Sequence, residues 1–422
     1  MTRSYKVQLH IECGDQRDFL EHCMIAKNRL FNLYVCVQVG LLATANRLYG
    51  KGGLSKQKKK TRQHFYISAF EFEKIFNHTI RPSRTYPKWL DTIPQKTRKQ
   101  AFRDADTAFK NMFQHGRGLP KFKGLGTKPS CYFIGSIHIE RDRIKLPKIG
   151  WLRLSEFGYL PTDTQLVKRE AHVTGCWVSE DAGKYFVSVQ TNEQERIQPN
   201  LCARTMGIGI DLGIKQFATI SDGQVFVNLT KTTYYQHLEH YKKRWERRFS
   251  RRIVSLKKHN HLRRLGNHTT HGIEKAREQM KKWRRKLRMV GENYIRQTTS
   301  RLVRKNPAYI TIEDLNVTGM KANSKLAPAL QKLGLYRFKA WLTWLCKKHC
   351  VELRIVPPYY PSTKLCSRCH QYNHQQFTNR LFDLGIRTFR CSNCNLELDR
   401  DMNAAINLVN SSQYRLINSI DD

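Results

Sequence analysis

The alternation of apolar and polar side chains from Tyr5 to Ile11 has the two-residue period of a half-buried strand, and from Asp18 to Tyr49 apolar residues recur at helical spacing. Glycines and then Lys56, Lys58, Lys59 and Lys60 break that helix between Gly50 and Lys60, which reads as a mobile basic loop. Two further helices are predicted over Ser68 to His78 and Pro94 to His115, the second with a packing stripe of Ala101, Phe102, Ala105, Ala108, Phe109 and Met112. From Gly116 to about Asn200 the pattern shifts to short strands and turns, among them Arg143 to Lys148, Trp151 to Leu154 and Tyr185 to Gln190. Leu335 to His349 is amphipathic, with Trp341, Leu342 and Leu345 as its core side.

Three apolar segments carry an acid where an acid is costly. Met206-Gly207-Ile208-Gly209-Ile210-Asp211-Leu212-Gly213 reads as a buried strand interrupted by one carboxylate, followed by Phe217 to Ile220, a turn at Ser221-Asp222-Gly223, and Val225 to Val227. An unpaired aspartate in such a strand pays a desolvation penalty unless a cation accompanies it. Ala308 to Leu315 repeats the pattern, with Glu313 where the strand leaves its sheet. The third acid, Asp401, falls in the first turn of a helix that Asp399 caps and Ala404, Ala405, Ile406 and Leu408 continue. Taken singly, each acid is more often a cap, a turn residue or half of an ion pair. Converging at one edge of a mixed sheet, the three would hold two Mg²⁺ ions about 3.5–4 Å apart and support phosphodiester hydrolysis.

Cys366, Cys369, Cys391 and Cys394 form two C-x-x-C pairs, the spacing by which knuckle turns present four thiolates to one tetrahedral Zn²⁺. Free core thiols or a redox pair are the alternatives. His370 and Asn395 stand where such knuckles usually have glycine, and both residue types tolerate left-handed backbone; His370 as a substitute ligand is the weaker reading. Gln375 to Phe377 and Arg387 to Arg390 are the candidate ribbon strands.

Composition narrows the partner. Lys and Arg number 75 against 34 Asp and Glu over 422 residues, a net charge of +41, with 11% aromatics. That balance suits a nucleic-acid polyanion, an anionic membrane being the alternative. No run of about twenty apolar residues occurs and the N-terminus has no apolar secretory core, so the sequence reads as soluble, cytoplasmic and not membrane-bound. The twelve cysteines then suggest a metal site plus buried thiols rather than disulfides.

These motifs carry a resemblance. Gly209-Ile210-Asp211-Leu212-Gly213, Ile312-Glu313-Asp314-Leu315, the run Pro357 to Cys369, and Asp399 to Asn407 are similar to the split RuvC nuclease and zinc ribbon of TnpB, the transposon-encoded RNA-guided DNA endonuclease akin to type V CRISPR effectors. Ala26 to Asn32, Ala105 to Phe113, Leu119 to Lys123 and Lys145 to Trp151 resemble its N-terminal half. The resemblance implies a multidomain α/β protein: a wedge-like strand at 1–13, a helical recognition domain at 14–116, a wedge-like β-barrel at 117–203, an RNase H-like (RuvC) nuclease at 204–362, a zinc ribbon at 363–396, the nuclease's C-terminal helix at 397–410 and a tail at 411–422. It implies Asp211, Glu313 and Asp401 as catalytic Mg²⁺ ligands. It also implies guide RNA and double-stranded DNA as partners, with one protein copy per RNA.

The stretch from Glu239 to Lys286 is the most basic, reading as helix, break and helix, and Lys242, Lys243, Arg247, Arg251, Arg284 and Arg285 are its candidate nucleic-acid contacts. A solvated charged face is the alternative. Lys121 and Lys123, around Phe122, suit backbone contact with base stacking or an ordinary turn, and Arg387 is a candidate strand-guiding cation. Cys346 and Cys350 read as packed thiols. Rival functions are a compact type V CRISPR effector, a non-catalytic guided repressor with a zinc ribbon, and a protein-only recombinase, the last disfavoured because no helix-turn-helix is evident.

Overall fold

The computed structural model describes residues 2–49, 65–124, 129–193, 206–262, 270–315, 327–358, 360–373 and 387–417. The expected basic loop at Gly50 to Lys60 and the ribbon strand at Gln375 to Phe377 lie outside them. The chain divides into two units, Met1–Glu195 and Arg196–Asp422.

In the first unit the alternating segment forms β1 (Thr2–His10), and the helical spacing that follows forms α1 (Gly14–Tyr49). After the undescribed loop come α2 (Ala69–Ile75), which continues as a π-helical turn at Phe76–Ile80, and α3 (Gln95–His115). Ser68 and Glu71 cap α2 reciprocally, which fixes where it begins. The stripe on α3 does what its spacing predicts: Ala101, Phe102, Ala105 and Phe109 are buried. Edge-to-face rings tie the helices together, with centroids 4.8 Å apart for Tyr34 and Phe72 and 5.0 Å for Phe72 and Phe102.

These helices interrupt an antiparallel sheet of seven strands: β1, β2 (Ser130–Phe133), β3 (His138–Ile139), β4 (Arg143–Leu146), β5 (Gly150–Leu154), β6 (His172–Asp181) and β7 (Lys184–Asn192). The short helix α4 (Asp163–Lys168) lies between β5 and β6 in the chain. The spatial order is β2-β6-β7-β1-β5-β4-β3, so the hydrogen-bonded series runs from β2 to β3, the two strands whose pairing would close a barrel. Lys27 is charged and buried, its Nζ 2.9 Å from Asp104 and 4.1 Å from the centre of the Trp177 ring, so both a carboxylate and a π face compensate its desolvation.

The second unit is built on a mixed six-stranded sheet: β8 (Ile208–Leu212), β9 (Gln216–Ile220), β10 (Val225–Val227), β11 (Tyr309–Glu313), β12 (Glu352–Val356) and the short β15 (Arg415–Leu416), in the order β10-β9-β8-β11-β12-β15. β9 and β10 pair antiparallel around the predicted turn at Ser221-Asp222-Gly223, and β8 pairs antiparallel with β9, whereas β11 lies parallel to both β8 and β12. The strand at 415–416 falls in what reads as a tail. Arg415 bonds Asp314 at 3.0 Å and the Ile417 N–H donates to the Leu353 carbonyl at 3.1 Å, so this short piece closes the sheet edge.

Strand alternation sorts this sheet into two faces. Ile208, Ile210, Ile310 and Ile312 point into a core shared with Ile295 and Leu302 of α6 (His271–Arg304), Leu330 and Leu333 of α7 (Ala327–Leu333), and Phe338, Leu342 and Leu345 of α8 (Leu335–Lys348). The basic segment forms α5 (Thr233–Leu262) and α6, a helical hairpin in which Tyr241 stacks on Trp283 at 4.8 Å. Gly209, Asp211, Thr311 and Glu313 fall on the opposite face, where α9 (Arg400–Val409) packs. Two glycines make room there. A Cβ on Gly209 would lie 2.1 Å from the Ala405 carbonyl oxygen of α9, and one on Gly207 would strike the Tyr309 ring.

Gly209→Ala should therefore push α9 off the sheet, at a cost of about 1–3 kcal/mol. Thermal unfolding should report a midpoint several degrees lower; an unchanged midpoint would mean that the close approach at Gly209 is not a constraint.

Candidate functional site

β8 brings Asp211 to the last turn of its register before the chain leaves for β9, and β11 ends on Glu313 beside it, since Ile312 pairs with Ile210. Both acids lie on the α9 face. The first turn of α9 supplies Asp401: Asp399 accepts from the backbone N–H groups of Asp401 at 2.9 Å and Met402 at 3.2 Å, the N-cap read from the sequence. Burial is the largest influence on Asp211 and raises its pKa from the ordinary 3.8 to about 7, with the charges of Asp401 and then Glu313 adding to the rise and Arg400 opposing it. Although its side chain keeps a partial opening to solvent, protein atoms crowd its carboxylate, and the proximity of two more acids matches that crowding. Glu313 is raised as well, by burial first and then by Asp314. Asp211 thus senses both of the other sequence-predicted acids.

They are not, however, drawn into a tight cluster. Among the described residues the group of His, Cys, Asp and Glu ligand atoms lying within 4.8 Å of one another is that of the four cysteines. Asp401 is engaged elsewhere: Arg387 Nη1 stands 3.2 Å and 3.5 Å from its two oxygens, and Arg400 Nε is 3.7 Å from Oδ1. Like charges repel, so the chemistry of this donor set, three carboxylates with one held about half protonated at neutral pH, is what a divalent cation would relieve.

The cysteines need no such relief. Cys366 and Cys394 Sγ are 3.5 Å apart and Cys369 and Cys391 Sγ 3.6 Å, close to the roughly 3.8 Å edge of a Zn–S tetrahedron with 2.3 Å bonds. His370 and Asn395 both take positive φ, 58° and 55°, the left-handed turn that glycine would otherwise supply. The N–H of Gln371 draws Cys369 down to about 6, which favours the thiolate a metal requires. Strand β13 (Thr388–Arg390) pairs with β14 (Glu397–Asp399), so the first residues of the span 397–410 expected as the nuclease's C-terminal helix are a strand. The chain passes from β14 directly into α9.

Four residues that position the acids escaped sequence reasoning. Gly209 lets α9 reach the sheet. Asn403 and Asn407, both buried, bind the loop that leads into the first knuckle: Asn403 Nδ2 donates to the Leu365 carbonyl at 2.7 Å, and Asn407 Nδ2 to those of Ser362 and Leu365 at 2.7 and 2.8 Å. Arg400 is buried, its N–H donating to the Arg387 carbonyl at 2.7 Å. The available signal was two asparagines four residues apart among Ala404, Ala405 and Leu408, where polar side chains must find internal partners.

The basic candidates sort by environment. Lys243, Arg247 and Arg251 are exposed along α5, while Lys242 lies 3.8 Å from Glu239 and Arg284 2.8 Å from Glu246, so the hairpin's few acids tie down some of its cations. Arg285 is half-buried. Lys121 is exposed with Phe122, but Lys123 turns inward over the Phe31 ring at 3.7 Å, and burial, aided by Lys27, lowers its pKa to about 8. Asn32 holds that turn, accepting from the Lys123 N–H at 2.8 Å and donating to its carbonyl at 3.0 Å. Among the described residues no helix is long and apolar enough to cross a membrane.

A mixed α/β sheet bearing acids under a helix, with a four-cysteine ribbon-like cluster joined to that helix, defines the class. Residues 186–324 match the OrfB_IS605 model, described as "Probable transposase", and residues 336–408 match the "Cas12f1-like, TNB domain" model. The chain belongs to the TnpB family and carries a Cas12f-like TNB domain. It is 27% identical over 342 residues to "Putative RNA-guided DNA endonuclease InsQ" of Escherichia coli, covering 77% of this chain and 76% of that protein. A TnpB-like protein of Acanthamoeba polyphaga mimivirus is 36% identical over 107 residues, 24% of this chain and 19% of that one. Among solved structures, "Cryo-EM structure of the Cas12f1-sgRNA-target DNA complex" covers 97% of this chain and 99% of its own at 14% identity and a TM-score of 0.46, an overlap too loose to carry an argument.

Because the folded state keeps on Asp211 a proton that the unfolded chain releases, stability should fall as pH rises from about 4 to about 7 and stay low above that. In magnesium-free buffer with one equivalent of zinc, thermal midpoints measured from pH 5 to 8 should decline more for the wild type than for Asp211→Asn, with the variant the more stable at pH 8. Added Mg²⁺ should raise only the wild type; parallel curves would remove the buried-charge account.

Proposed function

We propose that the protein is an RNA-guided DNA endonuclease that hydrolyses phosphodiesters at Asp211, Glu313 and Asp401. The observation that carries the reading is the raised pKa of Asp211, produced by burial and by the charges of the other two acids on one sheet face. Supporting it are the names its relatives bear, a net charge of +41, and the exposed cations of α5. The strand order of the second unit, three antiparallel strands followed by two parallel ones, fits an RNase H-like nuclease. The seven-stranded sheet with its inserted helices fits a wedge-like domain carrying a recognition domain.

In this reading Asp211, Glu313 and Asp401 hold Mg²⁺, and the cysteines hold a structural Zn²⁺. Bound there, Mg²⁺ would supply an activated water and stabilise the leaving oxygen. The chain's own groups do the remaining work. The apolar strand walls and α9 crowd the Asp211 carboxylate and hold its proton to about neutral pH, a proton it would lose on holding a cation. Arg387, released from Asp401, is placed to meet a phosphate. The α5–α6 hairpin offers its exposed Lys243, Arg247 and Arg251 to a nucleic-acid backbone, where each contact adds affinity that salt weakens.

The Cas12f1-like TNB match favours one second reading, a compact type V CRISPR effector with the same chemistry, which genomic surroundings separate: a repeat array against transposon ends.

Protein copurified with its RNA should cut DNA matching that RNA when Mg²⁺ is present. Asp211→Ala should lower the rate at least 10²-fold while target binding persists, the scale expected when a metal-ligating catalytic group is lost. Cleavage unchanged in the variant would overturn the mechanism, and wild-type binding without cutting would point to a guided repressor.

A further inference from the structure

The helix that carries Asp401 is held by both halves of the cysteine ribbon. From the first half, the N–H of Ser367, inside the Cys366–Cys369 knuckle, donates to Asn403 Oδ1 at 3.0 Å, and Asn403 returns a bond to the Leu365 carbonyl at 2.7 Å. Asn407, one turn further on, grips Ser362 and Leu365. From the second half, the Arg387 carbonyl accepts the N–H of Arg400 at 2.7 Å and its guanidinium reaches Asp401 at 3.2 Å. The halves also hold each other, since Asn373 Nδ2 donates to the Arg390 carbonyl. Asn403 is fully buried, so its amide has no solvent as an alternative partner.

We propose that Asn403 is a positioning residue that couples the geometry of the cysteine knuckle to that of Asp401, so that the ribbon sets the carboxylate site's affinity for a divalent cation. The inference rests on the assignment of Asp401 as a metal ligand. Asn403 touches neither substrate nor the reacting atoms. It lies two residues along the same helix from Asp401, and its side chain spans from the knuckle's backbone to that helix. A knuckle that opens when its metal leaves removes the Ser367 donor and the Leu365 acceptor together, leaving a buried amide unsatisfied and the first turn of α9 free to shift. An ångström of such shift is enough to spoil a metal site built from three side chains on separate elements. Coupling of this kind is reciprocal, so cation binding at the acids also raises the ribbon's affinity for zinc.

The test uses full-length protein with its copurified RNA and the Asn403→Ala variant, with Asn407→Ala as a second variant should the first fail to fold. Zinc content at purification and the far-ultraviolet circular dichroism should match the wild type. Mn²⁺ affinity, read by electron paramagnetic resonance of the free ion, should fall about tenfold, the scale seen when an outer-shell partner of a metal ligand is removed. Zinc release to a chromogenic chelator should quicken several-fold, and the Mg²⁺ concentration for half-maximal cleavage should rise while the rate at saturating Mg²⁺ changes little. Wild-type Mn²⁺ affinity and wild-type zinc release in a folded variant would overturn the coupling. Loss of zinc together with activity at every Mg²⁺ concentration would also overturn it, leaving Asn403 a purely structural residue. Wild-type protein that binds no Mn²⁺ would instead remove the assignment of Asp401 as a ligand, and the part of the inference that depends on it.

Discussion

The backbone of α9 lies on β8 as closely as two backbones can, and it does so because residue 209 has no side chain: the Ala405 carbonyl oxygen occupies the space a Cβ would need. Everything chemical in the second unit depends on that approach. It sets the first turn of α9 over the sheet edge where β8 and β11 end, and so brings Asp401 to Asp211 and Glu313 although 190 residues separate the first acid from the last. It also fixes the depth at which the ribbon sits, because the ribbon is bonded to the helix rather than to the sheet. The opposite face of the same strands is an ordinary aliphatic core, and its isoleucines hold β8 and β11 in register.

Closeness among three acids is unfavourable in itself, and the folded chain limits the penalty in two ways. Asp211 keeps a proton to about neutral pH, and Asp401 shares its charge with Arg387 and Arg400. On the proposed reading, the repulsion that remains would favour a cation, which would take the place of the proton on one acid and of the guanidinium on another. A site assembled this way discriminates by charge before it discriminates by geometry, because neutral or monovalent occupants relieve less of the repulsion.

How much of this could be read from the chain follows from how local each cause is. Asp211 and Glu313 stood out because a carboxylate in an apolar strand is conspicuous, whereas the choice of Asp401 over Asp399 rested on the resemblance of the segment Asp399 to Asn407 to TnpB. The cysteines were legible from spacing alone, and the left-handed turns at His370 and Asn395 followed from the residue types. What escaped depends on residues distant in sequence. Gly209 reads as one more small residue until Ala405 is placed against it. Asn403 and Asn407 have partners 36 to 45 residues away. Arg387, expected to face nucleic acid, is spoken for by Asp401, and Lys123 turns inward because Asn32 and the Phe31 ring await it. The short strand at Arg415–Leu416 looked like a tail since two residues carry no periodicity, and only β12 gives them a partner.

The order of these elements along the chain has a consequence for the protein's own synthesis. β8 and β11 can form their parallel pair once residues to 313 have left the ribosome, but the helix bearing the third acid is made 87 residues later and emerges only after all four cysteines. A growing chain therefore carries two of its three acids without the last, and all four cysteines are made before α9. The order of synthesis thus leaves the third acid until last: α9 is made after the cysteine knuckles it is bonded to, and a half-made chain carries its acids incomplete.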